Sequence, residues 1–157
     1  MLKKFTFLLL LIPISLFSFG QSFSLAGEWQ VKLEPENEWV TKSPDRTKIE
    51  GTINLPSSLA EAGFGYKTEG SDFGILTPEY RYIGKAWYSR EIEIPESWKS
   101  KEVELFLERV LWESRVFIDE KEMSRKDALG TPHVHNLGNL SPGKHRLTIC
   151  VDNEMIH

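Results

Sequence analysis

Apolar and polar residues alternate along most of this chain, in short blocks separated by turn residues. Glu28-Trp29-Gln30-Val31-Lys32-Leu33 puts Trp29, Val31 and Leu33 on one face. From Trp87 to Ile94, Tyr88, Ile92 and Ile94 share a face that Arg90 interrupts; Trp87, Ser89, Glu91 and Glu93 point the other way. Val103, Leu105 and Leu107 alternate with Glu102, Glu104, Phe106 and Glu108. Val116 and Ile118 continue the theme, and Leu147, Ile149 and Val151 close it. A period of two is that of an extended strand with one packed face and one wet face. Thr52-Ile53-Asn54-Leu55 is a shorter block, stopped by Pro56.

The separators carry turn chemistry. Pro95 to Lys101 links two blocks, Asp119-Glu120-Lys121 suits a tight hairpin, and Ser141-Pro142-Gly143-Lys144 fits a type II turn. Glu120 stands where glycine or asparagine is favoured. No long segment has helical periodicity; Ser57 to Ala62 is long enough for one helical turn, with Gly63 as a stop. Residues 64 to 84, rich in glycine and aromatics, read as one long ordered loop. Many short strands without helices predict an all-β sandwich or barrel.

The N-terminus sets the compartment. Lys3 and Lys4 precede an apolar run from Phe5 to Phe19, and Ser18-Phe19-Gly20 puts small residues at −3 and −1 of a cleavage site before Gln21. Residues 1–20 therefore read as a secretory signal peptide, 21–157 as one exported domain, periplasmic or extracellular. The run is shorter than the roughly 20 residues that span a bilayer, so no membrane anchor is expected after cleavage. Of 19 Lys and Arg against 23 Asp and Glu, loss of Lys3 and Lys4 leaves a net charge of −6. An acidic domain is a poor partner for nucleic acid or an anionic membrane, and suits neutral ligands such as glycans. Cys150 is the single cysteine, on an alternating strand, and reads as a small packed residue.

Chemistry-bearing motifs are sparse. His133-Val134-His135 sets two imidazoles on one strand face. A metal there needs more ligands, from among Asp127, Asn136 and His157; the plainer reading is two polar histidines on a strand, one hydrogen-bonded at the domain edge. Glu102, Glu104 and Glu108 have the spacing of a solvated strand face, and Asp119, Glu120 and Glu122 form an acidic hairpin tip. There is no phosphate loop and no nucleophile elbow. Neither a metal nor a cofactor is expected. Trp39, Phe64, Tyr66, Phe73, Tyr80, Tyr82, Trp98 and Trp112 fall in loops or at strand ends, where aromatic rings can stack on sugars or fill core.

The blocks LAGEW, INLPSSLAEAGFG, LTPEYRYIGKAWYSREIEIPESW, LERVLWESRVFID and DALGTPHVHNLGNLSPGKHRLTICVDN follow one another in order. Together they resemble the N-terminal sugar-binding domain of glycoside hydrolase family 2, the β-galactosidase and β-glucuronidase family, exported bacterial type. The resemblance spans roughly Leu25 to Asn153. It implies a jelly-roll β-sandwich of the galactose-binding-domain type. It also implies a parent β-galactosidase-like enzyme that hydrolyses β-linked glycosides through two carboxyl groups of a later barrel. Neither carboxyl has a matching position here, so no catalytic residue is expected, and the domain should be silent alone. Arg109, Trp112, His133 and Asn153 are the candidate substrate-binding residues; Asn153 and Glu154 sit where the family's sandwich leads into its next domain. The expected partners are a β-glycoside and the enzyme's remaining domains. A stand-alone carbohydrate-binding module and a truncated gene product are the alternatives.

Overall fold

A computed structural model describes residues 20–34, 47–68 and 77–154. Residues 1–19 of the expected signal peptide, Trp39, Phe73 and His157 lie outside them. The chain is an all-β jelly-roll sandwich. Its strands are β1 (Gly27–Glu34), β2 (Thr47–Lys48), β3 (Glu50–Leu55), β4 (Gly65–Lys67), β5 (Tyr80–Arg81), β6 (Lys85–Ile94), β7 (Glu102–Leu107), β8 (Glu113–Ile118), β9 (Lys121–Asp127), β10 (His133–Asn139) and β11 (Gly143–Asp152). One antiparallel sheet runs β3-β1-β6-β11-β8-β9; a second pairs β10 with β7; a small third sheet runs β2-β4-β5. Among the described residues no helix is long and apolar enough to cross a membrane.

The alternating positions face as the sequence predicts. Trp29, Val31, Leu33, Ile92, Ile94, Val103, Leu105, Val116, Ile118, Leu147 and Ile149 are buried in one core between the sheets. Arg90, the interruption on β6, finds carbonyl partners: its Nη1 donates to Leu25 O at 2.9 Å and Ala26 O at 3.0 Å. Its guanidinium thereby ties the segment before β1 to the central strand. Cys150 lies on the outer face of the six-stranded sheet, paired across strands with Trp87 and Arg115. It is buried, and that burial pushes its thiol up to about 11.

The turns obey backbone chemistry. Asp119 and Glu120 both take positive φ, 49° and 71°, as a two-residue type I′ hairpin requires. Ser58 and Glu61 cap each other: Glu61 N–H donates to Ser58 Oγ at 3.2 Å and Ser58 N–H to Glu61 Oε2 at 3.0 Å. The single turn they open ends at Gly63, φ 72°. Residues 69–76 of the expected 64–84 loop lie outside the described residues, and the remainder differs from a loop. It contributes β4 and β5, whose pairing requires Gly65: its φ is +102°, and a Cβ there would collide with the carbonyl of Arg81. Phe64 and Tyr82, expected at loop positions, are instead core residues. Strands of two or three residues carry no readable period, which is why this sheet is hidden in the sequence.

The hairpin tip is clasped. His145 Nδ1 lies 2.6 Å from Asp119 Oδ2, and Nε2 lies 2.7 Å from Ser141 O. Both neighbours are acceptors, so the imidazolium with two N–H groups is the form that fits. The Asp119 carboxylate, then the Ser141 carbonyl, raise the His145 pKa.

Two outcomes follow from these contacts. Arg90→Met should lower stability by about 2 kcal/mol, read as a urea midpoint shift at unchanged slope. The stability difference between wild type and His145→Gln should be largest below pH ~6.5 and shrink as pH rises through the raised pKa of the folded state. Melting curves from pH 5 to 9 check this; a difference independent of pH would contradict the clasp.

Candidate functional site

The strand register gathers the candidate residues at one end of the sandwich. Glu34 pairs with Lys85, Lys85 with Asp152, Asp152 with Glu113, and Glu113 with Asp127. In the second sheet His133 pairs with Leu107. These residues are the last or first of their strands, so the links 82–84, 108–112 and 128–132 and the exit at Asn153 all emerge together. Arg109, Trp112, His133 and Asn153 belong to this one end.

Hydrogen bonds join the links into a frame. Asn153 Oδ1 accepts from Gly84 N–H at 2.8 Å, and Asn153 Nδ2 donates to Tyr82 O at 2.9 Å. Trp112 N–H donates to Asp152 O at 3.1 Å, and Ala128 N–H donates to Trp112 O at 3.2 Å. His133 Nε2 donates to Ala128 O at 2.8 Å. Asn153 is thus spent on positioning the 82–84 link. Arg109 is exposed and Trp112 half-buried. Leu111 and Leu129 are each 56% exposed, an apolar component that alternation cannot reveal because both sit in links.

His133 is placed differently from a surface ligand. It is 1% exposed, and His135 and Ser114 are fully buried. Ser114 Oγ lies 2.6 Å from His133 Nδ1 and 2.8 Å from His135 Nε2. The Ala128 carbonyl fixes the proton order. His133 carries its hydrogen on Nε2, so its Nδ1 accepts from the Ser114 hydroxyl, and Ser114 Oγ accepts from His135 Nε2–H. The serine comes from β8 and the histidines from β10, so the relay stitches the two sheets beneath the candidate end. The two polar histidines lie on a strand and are hydrogen-bonded, as expected, but both are buried between the sheets. A serine between two imidazoles has the elements of a nucleophile, but burial denies it a substrate. Among the described residues no group of three or more His, Cys, Asp or Glu is arranged for a metal.

His135 Nδ1 is buried without a partner. Burial, followed by the charges of His133 and Lys126, lowers the His135 pKa to about 4. Asp119 and Glu122 of the hairpin tip are partnered. Asp119 Oδ1 accepts from Arg146 N–H at 2.8 Å, and Glu122 pairs with Arg115 at 2.6 Å.

The sandwich is similar in fold to part of the chain of solved β-glucuronidases. Ruminococcus gnavus β-glucuronidase in complex with D-glucaro 1,5-lactone matches at TM-score 0.61 and 21% identity, over 86% of this chain and 22% of its own. The same enzyme with C6-substituted uronic isofagomine matches at 0.63 and 21%, over 90% of this chain and 24% of its own. A further structure of it matches at 0.62 and 19%, over 85% and 21%. The likeness is one of fold, and this chain spans less than a quarter of those it matches. No family model matches the sequence, and no curated protein does either.

The buried relay has a pH signature. A histidine with a depressed folded pKa supports the fold above its unfolded value of about 6.5 and withdraws that support as pH falls toward about 4. Wild type should lose up to about 3 kcal/mol over that window from this group. His135→Leu should lose much less, as read by urea denaturation at stepped pH; equal losses would show that His135 does not titrate in the fold.

Proposed function

We propose that residues 21–157 form the sugar-binding and scaffolding domain of an exported family 2 glycoside hydrolase acting on β-linked glycosides, non-catalytic by itself. The observation that carries the reading is the asymmetry of the fold match. It takes in 85 to 90% of this chain, but only 21 to 24% of the β-glucuronidase chains. Ligands named with those enzymes include D-glucuronic acid and uronic deoxynojirimycin, so a β-glucuronide is the glycoside to try first. In this role the end carrying Arg109, Trp112 and Asn153 faces the remaining domains and the sugar. Export is supported by the basic and apolar pattern of residues 1–20.

The titration of the described carboxyls is set by their local partners. Among the described residues the carboxyls with displaced titration all move down. The Ser58 amide lowers Glu61, Lys144 lowers Glu91, the Arg146 amide lowers Asp119, and Arg115 lowers Glu122.

Two experiments decide the reading. The gene should continue in frame past the codon for His157 into a barrel with paired glutamates; an immediate stop codon would remove the parent enzyme. The purified chain should leave aryl β-glucuronide, β-galactoside and β-mannoside uncleaved, and turnover abolished by a Glu→Gln change within the chain would overturn its silence. A stand-alone glycan-binding module would instead show saturable titrations that Trp112→Ala abolishes.

A further inference from the structure

The segment before β1 is tied down from its first residues. Gln21 Oε1 accepts the indole N–H of Trp98 at 2.9 Å, with Ser97 Oγ more distant at 3.5 Å. The Phe23 ring lies 5.2 Å from the Trp98 ring, tilted by 33°. Leu25 O accepts from both Trp29 Nε1 and Arg90 Nη1, and Ala26 O from Arg90 Nη1. Gly20, one residue earlier, is exposed, and a Cβ there would meet nothing within 4 Å. Among the described residues, tethering to the sandwich therefore starts at the residue that signal cleavage would make the first of the mature chain.

We propose that Gln21 is a self-modification site: once freed by cleavage, it closes to a pyroglutamyl residue whose lactam oxygen keeps the Trp98 indole hydrogen bond. This rests on the export reading above. The chemistry needs no co-reactant. The α-amine of Gln21 attacks its own side-chain carbonyl carbon, the N–Cδ bond forms, the Cδ–Nε2 bond breaks, and ammonia leaves with a proton from the attacking amine. Ring closure within one residue has the advantage of an intramolecular reaction. Charge builds on Oε1 as the amine adds, and the Trp98 N–H points at that atom. The indole is held in place by the 3-10 turn Glu96–Trp98, in which Trp98 N–H donates to Pro95 O at 2.9 Å. Gln21 is exposed, so ammonia escapes directly to water. The product replaces a charged ammonium by a neutral ring beside two aromatic side chains.

The test is intact mass and tandem mass spectrometry of the protein expressed with its leader and recovered after export. The expected mass is that of residues 21–157 less one ammonia, with the loss located on Gln21. A free Gln21 amine that persists through incubation at mildly alkaline pH would overturn the modification and leave export standing. An N-terminus at Met1, or at a residue other than Gln21, would overturn the cleavage reading and the modification with it. A second measurement isolates Trp98. In chains freshly released from a fusion so that they begin at Gln21, Trp98→Phe keeps a ring against Phe23 and removes the N–H. Ammonia loss should slow several-fold in that variant; equal rates would overturn the part assigned to Trp98.

Discussion

The antiparallel ladder between β6 and β11 sets the terms for everything else. It joins two ten-residue strands from Ile94–Gly143 to Lys85–Asp152 without a shift in register. Every other strand of the large sheet is attached through one of these two. A slip of β11 by a single residue would turn Leu147 and Ile149 to water and bring Arg146 into the core. The same ladder decides which links emerge side by side at the candidate end. Architecture and site are consequences of one register.

Much of this was legible in the sequence. Strands with one wet face announce themselves by alternation, and β1, β6, β7 and β11 all do. Arg90 was legible as the polar break in the apolar face of β6. The relay was not, because β10 inverts the usual hydropathy: His133 and His135 are inside while Val134 is 41% exposed. The signal that finds them is phase. Both histidines are in step with buried Leu137, and Ser114 is in step with Val116 and Ile118. The aromatics of 64–84 misled for a related reason, since Phe64 and Tyr82 fill core from outside any long strand.

The candidate end combines a rigid floor with an adaptable rim. Ser114, His133 and His135 lock the sheets beneath it, and Asn153 is committed to the backbone of Tyr82 and Gly84. Arg109, Leu111 and Leu129 project from links above. Such a division lets a scaffold keep its geometry while the projecting residues adapt to what they meet.

The burial of Cys150 has a practical corollary. The thiol sits in the centre of the six-stranded sheet, with its titration raised well out of the neutral range. In an oxidising compartment a lone exposed cysteine invites cross-linking between chains, but this one becomes available only when the side chains packed around it open. Covalent dimers of this protein are therefore a record of molecules that opened, and their fraction reports on fold quality.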